Sequence, residues 1–408
     1  MKILFVVPYA PNLVRVRPYQ LIRSLVAGGH QVILGTLMSD AKELTDIDEI
    51  RKICHQVTAY QLPRMRSLLN CLFALPTKKP LQYVYCWEPK FVKGLEEIVL
   101  QNAETIDVIH VEHLRGAIYG EVLKSFLLQK KLRIPIVWDS VDSISHLFRQ
   151  SAQQSRQLSK RWLTSFELAR TEKYEHHLAN KFEHVLVTSA VDRDAFLSLS
   201  NETEPVAKEH ISILPNGVDL EYFQPLNGIS REPATLVVSG KMSYHANISM
   251  ALYLVKEIMP LVWEKRPEVK LWIVGKDPNR EISKLAENPL VTVTGTVPDL
   301  RNYLQRATVA VAPIVYGAGI QNKVLEAMAC ATPVVTSPQA LTALEAVSGR
   351  DLEQARTPGE YADKVLKLLA SPSYRQKIGE AGRSYVETHH RWSIITEKLT
   401  TIYRNVNH

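Results

Sequence analysis

P-I-V-Y-G-A-G-I-Q-N-K-V-L-E-A-M-A-C-A-T-P-V-V-T, residues 313–336, is the stretch that decides the fold. An apolar run at 309–314 reads as a strand and leads into Gly317 and Gly319. A helix then opens, carrying Lys323 and Glu326, and a second apolar strand follows at 333–336. A strand that ends in glycines and feeds a helix start suits an anion, because first-turn N–H groups lack partners and the helix dipole favours negative charge. Glycine lets the backbone approach a ligand closely. Lys323 adds a cation, and Glu326, one turn on, can accept two hydroxyl hydrogen bonds from a sugar or ribose. Phosphate at one end and sugar at the other point to a sugar nucleotide.

Outward from this block, strand and helix patterns alternate along all 408 residues, which predicts parallel sheets covered on both faces. Strands are expected at 2–8, 31–37, 57–61, 108–111, 134–138 and 184–188, then at 235–239, 270–274, 291–294, 309–314 and 333–336. Helices are expected between them, with one long helical pattern at 374–403. The chain is too long for one ordinary core. Prolines, Gly217 and polar residues near 205–225 mark the boundary between two domains. Ligands of open parallel sheets bind beyond the C-terminal strand ends, so two facing sheets would bind theirs in the cleft.

No apolar run reaches the roughly 18–20 residues of a membrane span, and the apolar run after Met1-Lys2 is too short for a signal peptide. Cys54, Cys71, Cys86 and Cys330 are dispersed, as free thiols of a cytoplasmic protein would be. The net charge of +7 comes without any nucleic-acid-binding motif, so no nucleic-acid partner is expected. Phosphorylated donors and anionic lipid account for the charge better; a merely solvated basic surface accounts for it as well as the lipid does.

The block at 313–336 resembles the donor-binding signature of retaining GT-B glycosyltransferases of family four, in the variant G-I-Q-N-K-V-L-E-A-M-A associated with exopolysaccharide systems. P-N-G-V-D at 215–219, W-I-V-G at 272–275, V-T-G-T-V at 293–297, and K-I-L-F-V-V-P-Y with G-G-H-Q-V in the first half extend the likeness over nearly the whole chain. The resemblance implies an α/β GT-B fold, two facing Rossmann-like parallel-sheet domains with a C-terminal helix crossing back to the first. Residues 1–210, completed by about 385–408, would form the acceptor side; 211–384 would bind the nucleotide sugar.

It also implies roles. Glu326 would hold the ribose, and Lys241 and Lys323 would clamp the pyrophosphate. Gly275, Val297, Gly319, Ile320, Gln321, Asn322 and, from the first domain, Arg15 would complete the donor site. The family normally has two cations after the strand that precedes Lys241; this chain has one. The first signature glutamate is replaced by Ala318, eight positions before Glu326, and the first-loop glycine pair by Leu13 and Val14. Where relatives have a histidine the chain has Val141, beside Asp142. Asp142 and Asp139 are then the polar groups expected over the reacting centre, with His110 and His113 as rivals. Asp192 and Asp194 have D-x-D spacing but follow Ser189 as a helix start, so helix capping accounts for them and no metal is expected.

The expected activity is metal-independent, retaining transfer of a hexose-type sugar to a hydroxyl acceptor, a glycan, lipid-linked or small molecule. No cofactor is expected; the donor would be a UDP- or GDP-sugar. Ala318, the single clamp and Leu13-Val14 would also fit a non-catalytic binding subunit, and an epimerase or hydrolase is the other enzymatic alternative. Basic residues around apolar ones at 64–73 and 149–173 would suit peripheral contact with an anionic membrane as well as ordinary amphipathic helices.

Overall fold

A computed structural model describes the chain apart from residues 155–157, 200–204, 226–227, 229, 316–318 and 408, and apart from the side chains of 153–163. Ala318 therefore lies outside the described residues, as do the side chains of Arg156, Lys160, Arg161, Trp162 and Leu163 in the second basic segment.

The chain divides into two compact units, Met1–Pro215 with Trp392–His408, and Asn216–Arg391. The first is built on seven parallel strands: β1 (Lys2–Val7), β2 (Gln31–Met38), β3 (Gln56–Gln61), β4 (Val108–Glu112), β5 (Ile136–Val141), β6 (His184–Val187) and β7 (Ile211–Ile213). Their order is β3-β2-β1-β4-β5-β6-β7. Side chains alternate across a strand, so β1 feeds two cores. Leu4 and Val6 face one helical layer; Ile3, Phe5 and Val7 face the other. Both faces are covered, which is why β1 reads as an unbroken apolar run.

The second unit has six parallel strands: β8 (Thr235–Ser239), β9 (Lys270–Val274), β10 (Val291–Val293), β11 (Val309–Ala312), β12 (Val334–Thr336) and β13 (Glu353–Gln354), in the order β10-β9-β8-β11-β12-β13. The strand order reverses between β8 and β11, opening a crevice beyond their C-terminal ends. In the first unit the reversal lies between β1 and β4.

The helix between β8 and β9, His245–Tyr253, continues as one rod through a widened π turn, Leu254–Ile258, into Met259–Lys265. Pro260 lacks an N–H and crowds the preceding turn, and the wider turn absorbs both effects. The expected single helix at 374–403 is two, Pro372–His389 and Trp392–Val406. The break is a tertiary effect. His390 Nδ1 lies 2.8 Å from the Asn216 carbonyl, and Val218 N–H donates to the His390 carbonyl at 2.7 Å. Past the break, Trp392, Ile395, Leu399 and Tyr403 recur at helical spacing and enter the Ile3/Phe5/Val7 core.

Candidate active site

In the second unit, four loops follow the C-terminal ends of β8, β9, β10 and β11. Gly240 and Gly275 end the first two, with φ of 148° and 151°. A Cβ on Gly275 would stand 1.7 Å from the Gly240 carbonyl oxygen, so only glycine permits this approach. Lys241 follows Gly240, is half exposed and faces Asp277 at 3.8 Å. Its carbonyl accepts from Asn247 Nδ2 at 3.0 Å, a bond that fixes the turn beneath it.

Beyond β11, Gly319 adopts φ 67° and Ile320 tucks into the core. The helix Asn322–Ala329 then starts at Gln321, and among the described residues no side chain caps its first turn. Asn322 Oδ1 accepts from Asn216 Nδ2 at 3.2 Å, a contact no sequence spacing suggested. Lys323 Nζ donates to Gln321 Oε1 at 3.1 Å. Burial lowers the Lys323 ammonium to about 8, opposed by nearby Glu326. Burial raises the Glu326 carboxyl to about 7, opposed by Lys323. Glu326 is crowded by protein yet retains some access to solvent, and among the described residues nothing donates a hydrogen bond to it. A desolvated carboxylate without a donor is costly; this one is available to a ligand with hydroxyls.

The structure thus brings Lys241, Gly275, Gly319, Ile320, Gln321, Asn322, Lys323 and Glu326 to the strand-end side of one sheet around its switch point. Val297 sits after β10, three strands from β11, roughly 14 Å away at a spacing of about 4.8 Å.

The first-unit candidates divide differently. Arg15 is occupied internally: it donates to Glu43 at 3.0 Å and the Ala10 carbonyl at 3.2 Å, and its guanidinium lies over Tyr9. Asp139 is wholly buried and held by both ends of Arg17, Nε to Oδ2 at 2.8 Å and Nη2 to Oδ1 at 3.1 Å. His110 is wholly buried as well, stacked on Phe5, with Nδ1 2.7 Å from the Tyr403 hydroxyl. Burial lowers it to about 4, so it is neutral at neutral pH. Asp139 and His110 therefore join the first helix, the sheet and the C-terminal helix.

His113 directly follows β4 and Val141 ends β5, both in the left-handed region, φ 64° and 70°. For a β-branched residue such as Val141 this is a rare conformation that costs about 1–3 kcal/mol. Asp142, next to it, is partly exposed; burial, reinforced by Asp192, raises its carboxyl to about 7. Burial lowers His113 to about 3. Sequence reasoning passed over Glu112. Its Oε1 accepts from the Tyr9 hydroxyl at 2.8 Å, its Oε2 is buried without a partner among the described residues, and burial with Asp139 raises its carboxyl to about 8. Its position at the end of β4, on the first unit's switch point, was the available signal.

Residues 233–371 match the family described as "Glycosyl transferases group 1". The matched residues all lie within the second unit, Asn216–Arg391. The chain is 25% identical over 330 residues to the MMP alpha-(1->4)-mannosyltransferase of Mycolicibacterium hassiacum, covering 78% of this chain and 75% of that protein. It is 27% identical over 254 residues to the alpha-maltose-1-phosphate synthase of Mycobacterium tuberculosis, 54% of this chain and 63% of that one. Anabaena HepE, solved in complex with UDP, superposes with a TM-score of 0.70 over 99% of this chain and 100% of its own, at 13% identity. At that identity the likeness speaks for the fold alone, which is GT-B. Among the described residues no helix is long and apolar enough to cross a membrane.

Proposed function

We propose that this protein is a group 1 glycosyltransferase that moves a hexose-type sugar from a UDP- or GDP-sugar to a hydroxyl acceptor, with retention of configuration and without a metal. The observation that carries the reading is Glu326, a crowded carboxylate with no donor among the described residues, one helical turn from the desolvated cation Lys323. Glu326 accepts the two ribose hydroxyls. Lys323, assisted by Lys241, neutralises the diphosphate. The acceptor oxygen bonds to the anomeric carbon on the face from which the diphosphate departs. The carbon–oxygen bond to the phosphate breaks with its electron pair, and the acceptor proton passes to a phosphate oxygen. No protein base is required.

The decisive assay incubates the purified protein with UDP- and GDP-sugars in excess chelator and follows diphosphate release and the anomer of any product. Release that persists in chelator, with a retained anomer, is expected. Activity that disappears and returns only with magnesium or manganese contradicts the clamp.

The same pair sets a pH window. Glu326 is ionised above about 7, and Lys323 is charged below about 8. Nucleoside diphosphate affinity should be greatest between these values. It should fall on the acid side as Glu326 takes up a proton, and on the alkaline side as Lys323 loses one. Calorimetric titration with UDP and GDP from about pH 6 to about pH 9 reads both limbs. Glu326→Gln should remove the contribution of Glu326 to the acid limb and move the alkaline limb to lower pH, because Glu326 opposes the lowering of Lys323.

Peripheral membrane contact is part of this proposal. The helix Arg64–Ala74 turns Met65, Leu68, Leu72 and Phe73 outward, 66%, 60%, 57% and 72% exposed. An apolar stripe beside Arg64 and Arg66 suits the surface of an anionic bilayer.

A further inference from the structure

Beside that stripe the first unit contains an open groove of about 830 Å3. Phe73 and Leu69 form part of its edge, Trp87, Ile118 and Val122 part of its wall. The volume is that of a small-molecule site. The lining is a poor match for a sugar, because its polar groups are already paired. Asn70 Nδ2 donates to the Trp87 carbonyl at 2.9 Å. The Tyr83 hydroxyl donates to Glu121, which also meets His177 Nε2 at 2.8 Å. Thr77 Oγ1 donates to the Ala74 carbonyl at 2.8 Å.

One lining group is different. Arg66 Nε is buried and has no hydrogen-bond partner among the described residues. Arg66 thus brings to a mostly apolar groove a cation with an unfilled donor, and Lys79 adds a second positive charge along the lining, where Glu121 is already held by Tyr83 and His177. The apolar surface continues from Leu69 and Phe73 onto exposed Met65, Leu68 and Leu72. A ligand that is apolar along its length, anionic at one end and able to continue onto an apolar surface satisfies all three features.

We propose that this groove binds the hydrocarbon chain of a phosphate-bearing amphiphile, its phosphate on Arg66, and that such an amphiphile carries the acceptor. The acceptor role rests on the glycosyltransferase reading; the binding does not.

The test is calorimetric titration of the full chain with dodecyl phosphate, dodecyl maltoside and inorganic phosphate, all below micelle-forming concentrations. Dodecyl phosphate should bind saturably at one site, and inorganic phosphate should give no saturable binding. Arg66→Gln should weaken dodecyl phosphate about tenfold and leave dodecyl maltoside unchanged. Val122→Trp, which fills the groove, and Leu69→Glu, a surface change at its edge, should each weaken both amphiphiles at least about tenfold. UDP or GDP binding, measured in parallel, should be the same in all three variants. Absence of saturable dodecyl phosphate binding, undiminished binding in both Val122→Trp and Leu69→Glu, or inorganic phosphate binding as tightly as dodecyl phosphate each overturns the groove. A protein that binds nucleotide but no amphiphile loses only this inference. One that binds the amphiphile but no nucleotide keeps the site and loses the transferase reading.

Discussion

Lys323→Ala should lower turnover roughly 10²–10³-fold, the loss typical when a group that stabilises developing charge is removed. Donor affinity should fall much less. The ammonium is desolvated, and Gln321 Oε1 is its hydrogen-bond acceptor among the described residues. A cation held this way gains most when negative charge grows on a neighbour, which happens as the anomeric carbon leaves the phosphate. Lys241 is half exposed and already opposed by Asp277, so Lys241→Ala should cost less. If both cations act on one leaving group, their effects will not add. Turnover and donor affinity for the two single variants and the double variant decide this. Wild-type turnover in Lys323→Ala would make Lys323 a bystander of the helix.

The second large effect concerns stability. Arg17→Met should destabilise the first unit by about 3–5 kcal/mol, because it leaves the Asp139 carboxylate buried without its partner. Asp139→Leu should cost a similar amount by removing the carboxylate that faces Arg17, which is 6% exposed. The double replacement should recover much of the loss, since an apolar pair of similar volume needs no desolvation. Denaturant unfolding of the three variants measures it. Single losses below about 1 kcal/mol would place the pair in the class of exposed ion pairs and would leave Asp139 to be explained by function.

What could be read in advance followed how local the cause was. β8 and β9 were expected at 235–239 and 270–274 and occur there, because T-L-V-V-S and K-L-W-I-V each stand alone as short β-type runs. The Lys323–Glu326 geometry was legible for the same reason: three residues apart on a helix means one face. β7 and β13 went unseen, being three and two residues long, too short for periodicity to register. The break at His390 was invisible because the residues that hold it, Asn216 and Val218, lie far away in sequence. Asp139 shows the same limit. A carboxylate at a strand end reads as a candidate acceptor-side group, and only the fold reveals an arginine 122 positions earlier gripping it. Helix Arg64–Ala74 inverts the usual inference, since its spaced apolar residues predict a buried face and the large ones point outward.

The proposed transfer depends on Glu326 holding the nucleotide. Calorimetric titration of wild type and Glu326→Ala with UDP and GDP, near pH 7.5 where both partners of the pair carry charge, tests it most directly. The variant should keep its fold and lose about 1.5–3 kcal/mol of nucleoside diphosphate binding, roughly 10- to 150-fold in affinity. Equal affinity in the two proteins, or no binding of either diphosphate by the wild type, would contradict the claim.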